Sequence, residues 1–167
     1  QNNIFKHIAK LNDAKYRNKF GEFVLEGERL VCDAENLGAD ISFVVIKDGY
    51  DGKIPQCEKI YTFDEKLFSQ MKNTVNSQGI LAVAKIERNK TADFSTARTV
   101  VYLDGVSDPG NMGTIIRTCD AAGVDAVVIS KTCVDVFNPK VVRSTMASIF
   151  NVNLIFDDNC LEKLKND

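Results

Sequence analysis

Two residues in one short stretch of this chain are equipped for chemistry. The stretch runs Leu103-Asp-Gly-Val-Ser-Asp-Pro-Gly-Asn-Met-Gly-Thr-Ile-Ile-Arg-Thr118, and the residues are Asn111 and Arg117. A guanidinium stays charged in proteins and presents a rigid fork of donors, so Arg117 can hold an anion. It falls about a turn and a half into a helix otherwise built of small and apolar residues. Two plainer readings stand beside this one: Arg117 as a surface ion-pair partner, and Asn111 as a helix cap or turn former. Gly110 and Gly113 do not make a phosphate loop. Their spacing is neither Gly-x-Gly-x-x-Gly nor a Walker A, and no Lys-Ser/Thr follows.

The elements that position these residues can be read on either side. Thr99 to Leu103 is an apolar strand, and the loop after it is dense in Asp, Pro, Gly and Asn, which suits a sharp turn. A helix over 111–122, a strand over 126–130, a helix over 139–149, a strand over 152–156 and a helix start at 160–164 complete a parallel βαβαβ run. Upstream, residues 3–19 read as one amphipathic helix with Ile4, Ile8 and Leu11 on its apolar side. Strands follow at 23–25, 41–46, 60–62 and 79–86. A helix stopped by Gly38 and another running from Asp64 to Met71 lie between them. That alternation predicts a small α/β sandwich. The polar, aperiodic stretch 87–98 reads as a linker between residues 1–86 and 99–167.

The 103–118 stretch resembles the first motif of the SpoU/TrmH family of SPOUT (α/β-knot) methyltransferases. Asp104, Val106, Asp108, Pro109, Asn111, Gly113, Ile115, Arg117, Thr118 and Gly123 all fall on that motif. The run Phe137 to Phe150 is similar to the family's next segment, in the right order and at the right distance. The resemblance implies transfer of a methyl group from S-adenosylmethionine to a ribose 2′-hydroxyl of rRNA or tRNA. It implies that Asn111 and Arg117 are the catalytic positions and that the active protein is a homodimer with each site at the dimer contact. A 2′-hydroxyl is a poor nucleophile, so such an enzyme must align it and favour the developing alkoxide. Arg117 would act as a base or, more in keeping with its permanent charge, would hold the target phosphate and stabilise the oxyanion. Asn111 would fix the loop and orient the arginine.

In the same family the N-terminal region resembles a kink-turn-binding ribosomal protein and is expected to hold the RNA. The stretches 23–30 and 78–83 are similar to that region. The net charge of −2 does not advertise an RNA binder, but the charge is unevenly spread. Lys6, Lys10, Lys15, Arg17 and Lys19 face Asp13 alone, a local basic surface that can bind phosphate or simply be solvated. Lys140, Arg143 and Ser144 open the second matched helix. They are either a solvated first turn or RNA contacts, since cations at a helix N-terminus invite an anionic partner.

Composition limits the alternatives. Apolar content of 44% is that of a globular protein, with no run of transmembrane length and no signal pattern at the N-terminus, so a cytoplasmic setting is expected. The chain opens on Gln1 rather than Met, which suggests a trimmed start. Cys32, Cys57, Cys119, Cys133 and Cys160 are scattered and odd in number, so neither a zinc site nor a disulfide framework is expected. They read as reduced, mostly buried small apolar residues. His7, the one histidine, reads as incidental.

The family's later segments, an Asn-Glu-Gly-like stretch and a Pro-Met…Ser-Leu-Asn-Val-Ser stretch, have no counterpart before Asp167. The expectation is the RNA-holding domain plus the first half of a parallel-sheet SPOUT domain, with the cofactor-binding residues beyond Asp167. Such a chain would bind S-adenosylmethionine poorly and would not turn over. Two readings compete: a non-catalytic RNA-binding module, and an unrelated nucleotide-binding α/β protein, which the absent phosphate-loop glycines disfavour.

Overall fold

The computed structural model describes residues 2–74, 77–87, 94 and 96–156. Two compact units form, the first from Gln1–Ile86 with Phe137–Pro139, the second from the intervening and following residues.

The first unit begins with two helices where the sequence suggests one. α1 spans Asn2–Lys10 and α2 spans Ala14–Phe20. The apolar spacing runs on through Leu11, but Asp13 takes an extended backbone and its carboxylate accepts from the Lys15 N–H at 2.8 Å, starting a new helix. Gly21 then ends α2 in the left-handed region (φ 65°), with its N–H bonded to the Arg17 carbonyl. β1 (Glu22–Glu26), α3 (Glu28–Asn36), β2 (Ile41–Lys47), β3 (Ile60–Phe63), α4 (Glu65–Ser69) and β4 (Ile80–Lys85) follow. The strands lie in the order β1-β4-β2-β3. Only β2 and β3 run parallel, so the sheet is mixed. β4 is central and its first five residues are all buried, as expected for a strand covered on both faces. Ile8, Leu11, Phe43, Phe63, Phe68, Met71 and Leu81 form the core on the α1 side.

The second unit is a parallel sheet of β5 (Val100–Leu103), β6 (Ala126–Ile129) and β7 (Leu154–Ile155), in that spatial order. α5 (Pro109–Ala121) connects β5 to β6, and α6 (Pro139–Thr145) and α7 (Ser148–Asn151) connect β6 to β7. The expected single helix over 139–149 is thus two. Met146 (φ 50°) and Ala147 (φ 74°) both adopt left-handed backbone, which ends α6 and redirects the chain. The helix start expected at 160–164 lies outside the described residues. Among the described residues no helix is long and apolar enough to cross a membrane.

The cysteines depart from expectation. Among the described residues Cys119 alone is buried, while Cys32, Cys57 and Cys133 are half-buried free thiols. Burial raises the thiol pKa of Cys119, and burial followed by the Glu28 carboxylate raises that of Cys32.

Candidate active-site loop and basic surface

The loop after β5 is held by hydroxyls and a carboxylate. Ser130 and Thr132, at the end of β6, both donate to Asp104 Oδ1 (2.9 and 2.7 Å), and the Gly105 N–H donates to Thr132 Oγ1. The hydroxyls of Thr132 and Ser130 hold the Asp104 carboxyl below its ordinary pKa. Asp108 then caps α5. Its Oδ1 accepts from the Asn111 N–H at 2.8 Å, and Pro109 occupies the first turn, where a missing N–H costs nothing.

Gly113 sets how closely α6 approaches α5. A Cβ there would stand 2.4 Å from Ser144 Cβ, 2.9 Å from the Ser144 carbonyl carbon and 3.0 Å from the Val141 oxygen. No side chain larger than hydrogen fits that contact.

Asn111 is exposed and lines a groove of about 400 Å³ with Gly105, Val106, Ser107, Asp108, Thr114 and Ile115. The groove lies beyond the carboxyl end of β5, where open α/β sheets bind their ligands. Arg117 lies about 9 Å further along α5. It is also exposed, and its Nη1 donates to the Met146 sulfur at 3.0 Å. The two sequence-selected residues therefore share one helix, one on the groove and one against the turn that follows α6.

The three candidates on α6 separate. Lys140 is exposed. Arg143 and Ser144 are half-buried, and the Ser144 hydroxyl donates to the Lys140 carbonyl at 2.8 Å, so that proton is used within the helix.

The basic candidates at the N-terminus separate as well. Lys6, Lys10, Lys15 and Lys19 are exposed. Arg17 is not: it is 2% exposed and donates from Nη1 to the Leu11 carbonyl at 2.7 Å. Its charge satisfies the end of α1, so Arg17 leaves the set of surface phosphate contacts. His7 is also engaged, with Nε2 2.7 Å from Glu22 Oε2, while Ser42 donates to the other Glu22 oxygen. Two residues that sequence reasoning passed over join these surfaces. Tyr16 lies among the lysines, signalled by its place in Lys15-Tyr16-Arg17, and Met146 gives no signal of its own.

Residues 98–167 match the SpoU rRNA Methylase family and residues 2–82 match the MRM3-like substrate binding domain. The chain is 38% identical to the 23S rRNA (guanosine(2553)-2′-O)-methyltransferase RlmP of Bacillus subtilis, covering 93% of this chain and 62% of that protein. It is 36% identical to the mitochondrial rRNA methyltransferase 3A of Danio rerio, over 86% of this chain and 36% of the relative. The crystal structure of an rRNA methyltransferase from Sinorhizobium meliloti superposes with a TM-score of 0.83 at 29% identity, over 98% of this chain and 65% of that one. An AdoMet-bound rRNA methyltransferase structure from the same organism gives 0.81 at 28%, over 97% and 65%. The chain thus spans less than two thirds of each of these relatives. Residues 98–167 are thus similar to a SpoU rRNA methylase domain, with a match to the MRM3-like substrate binding domain ahead of them.

Proposed function

We propose that this chain serves an RNA methyltransferase that moves the methyl group of S-adenosylmethionine to a ribose 2′-hydroxyl of rRNA. Residues 1–86 hold the RNA, 87–98 link, and 99–167 are the methylase part. The observation that carries this reading is the start of α5. Asp108 caps it, Asn111 opens onto the groove beyond β5, and Arg117 presents an exposed guanidinium from the same helix. The relatives named above as rRNA methyltransferases support rRNA over tRNA as the substrate class.

S-adenosylmethionine brings an electrophilic methyl group on a sulfonium. The groove's lining offers hydroxyls, one amide and the Asp108 carboxylate, and nothing in it singles out a cofactor ligand. No residue here is therefore assigned to hold the cofactor. Arg117 positions the target phosphate and favours the alkoxide electrostatically, and it takes no proton. Asn111, on the groove, orients the incoming ribose. Lys6, Lys10, Lys15 and Lys19 supply phosphate contacts on the first unit, and Lys140 supplies one on the second.

The reading extends to a homodimer in the cytoplasm and to a first unit that works as kink-turn-binding ribosomal proteins do. Methyl transfer from isotope-labelled S-adenosylmethionine to an rRNA transcript, with the product nucleoside identified by mass spectrometry, tests the reaction in an active protein carrying these residues. A 2′-O-methyl nucleoside that disappears with Arg117→Ala is the expected result. A base-methylated product overturns it. The non-catalytic alternative predicts salt-sensitive RNA binding with no methyl transfer.

A further inference from the structure

Lys10 and Lys15 both carry their ammonium groups over the ring of Tyr16, 5.5 and 5.9 Å from its centroid. One lysine comes from the end of α1 and the other from the start of α2. The Tyr16 ring stacks on Phe20 at 5.9 Å and 23°. Phe20 in turn packs on the core of the first unit and against the His7 ring at 4.8 Å.

The helix beneath this aromatic pair is fixed at both ends. Asp13 caps it, Gly21 closes it, and the buried Arg17 ties it to the last turn of α1 through the Leu11 carbonyl. The platform is therefore rigid, whereas the lysines around it are exposed and mobile on long stems. Lys6 and Lys19 extend the positive surface, and Asp13, the one acid among the first 21 residues, is spent on the cap.

Tyr16 is half-buried and the two lysines are exposed, and an ammonium that rests on a ring while still in water is weakly held. It exchanges that contact readily for a phosphate, and the ring is then free to take a base. A duplex keeps its base faces stacked inside, whereas an unpaired nucleotide offers one. We propose that Tyr16 is a stacking platform for an unpaired base of RNA, with Lys10 and Lys15 holding the phosphates that flank it. The proposal rests on the reading of residues 1–86 as the RNA-holding part and narrows it to a single-stranded element.

The test is binding of a short single-stranded RNA of mixed sequence, and of the same length in duplex, by fluorescence anisotropy across a salt series. Tyr16→Leu is expected to weaken the single strand about 5- to 100-fold without changing the salt dependence, and Tyr16→Phe to restore it. Lys10→Gln and Lys15→Gln are each expected to lower the salt slope by about 0.7. The chain has no tryptophan, so Tyr16→Trp installs a sole reporter, whose emission should be quenched by the single strand and not by the duplex. Salt-sensitive RNA binding that Tyr16→Leu leaves intact, with unquenched Tyr16→Trp emission, overturns the platform and spares the broader reading. Equal loss on duplex and single strand also overturns it. A chain that binds neither RNA overturns both.

Discussion

Arg117 Nη1 lies 3.0 Å from Met146 Sδ, so the guanidinium proposed to act on RNA is held by a thioether on the turn between α6 and α7. A thioether is a weak acceptor, and a phosphate or alkoxide oxygen is a strong one. The contact can therefore orient the guanidinium in the resting protein and yield it when RNA arrives. Two consecutive left-handed residues without glycine hold Met146 in place, a conformation that costs on the order of 1–3 kcal/mol per residue.

Removing the acceptor should separate orientation from charge. Met146→Leu keeps the volume and is expected to lower kcat by less than about tenfold. Arg117→Ala should lower it by about 10²–10³, the usual cost of one oxyanion donor. Steady-state methyl transfer by an active protein carrying these residues measures both. A Met146→Leu enzyme matching the wild type would reduce the thioether to packing.

Gly113→Ala is expected to destabilise the second unit by about 1–3 kcal/mol, because the atoms a methyl would meet include backbone that cannot turn aside. Gly110→Ala is the control. Its Cβ would meet only Asp108 Oδ1, at 3.1 Å, and should change stability by less than about 1 kcal/mol. Urea midpoints of the two variants decide it. Similar losses would mean that the approach of α6 to α5 is not what Gly113 serves.

The strands and the loop before α5 were legible because their signals are local. Apolar runs bounded by turn residues mark β2, β4, β5 and β6, and the helix read over 111–122 is α5, which starts two residues earlier, at Pro109, behind the Asp108 cap. The two helix breaks were hidden for different reasons. Asp13 is a sound N-cap, but the spacing of Ile4, Ile8 and Leu11 carries an amphipathic pattern up to it. Met146 and Ala147 adopt a conformation that neither residue type advertises, so tertiary packing decides it. Arg17 misled in the opposite sense: charge argues for the surface, and only the fold shows that a carbonyl at the end of α1 needs its proton.

That burial gives Arg17 and its neighbours opposite signatures. Arg17→Met should cost about 1.5–3 kcal/mol, since it leaves the Leu11 carbonyl unpaired, with little effect on RNA affinity of the molecules that remain folded. Lys6→Gln and Lys19→Gln should leave stability within about 0.5 kcal/mol and weaken RNA binding in a salt-dependent way. Thermal melts paired with binding titrations make the comparison. An Arg17→Met protein that keeps its melting temperature and loses RNA would return Arg17 to the binding surface.

Two aspartates tie the second unit's stability to acid. Hydrogen bonds from Thr132 and Ser130 depress the Asp104 pKa, and the backbone N–H groups of Thr99 and Arg98 depress that of Asp125 (2.9 Å each). A carboxylate whose folded pKa lies below its unfolded value binds protons more readily once unfolded. The stability it adds is complete above the ordinary value of 3.8 and disappears as pH falls through the lower, folded value. Unfolding midpoints should therefore hold steady from neutral pH to about 5 and drop below about 4. Asp125→Asn keeps an oxygen for the two N–H groups and cannot titrate, so its acid limb should be shallower than that of the wild type. Thr132→Ala removes the larger contribution at Asp104 and should act in the same direction. Parallel acid limbs in all three proteins would place the acid sensitivity in other carboxylates.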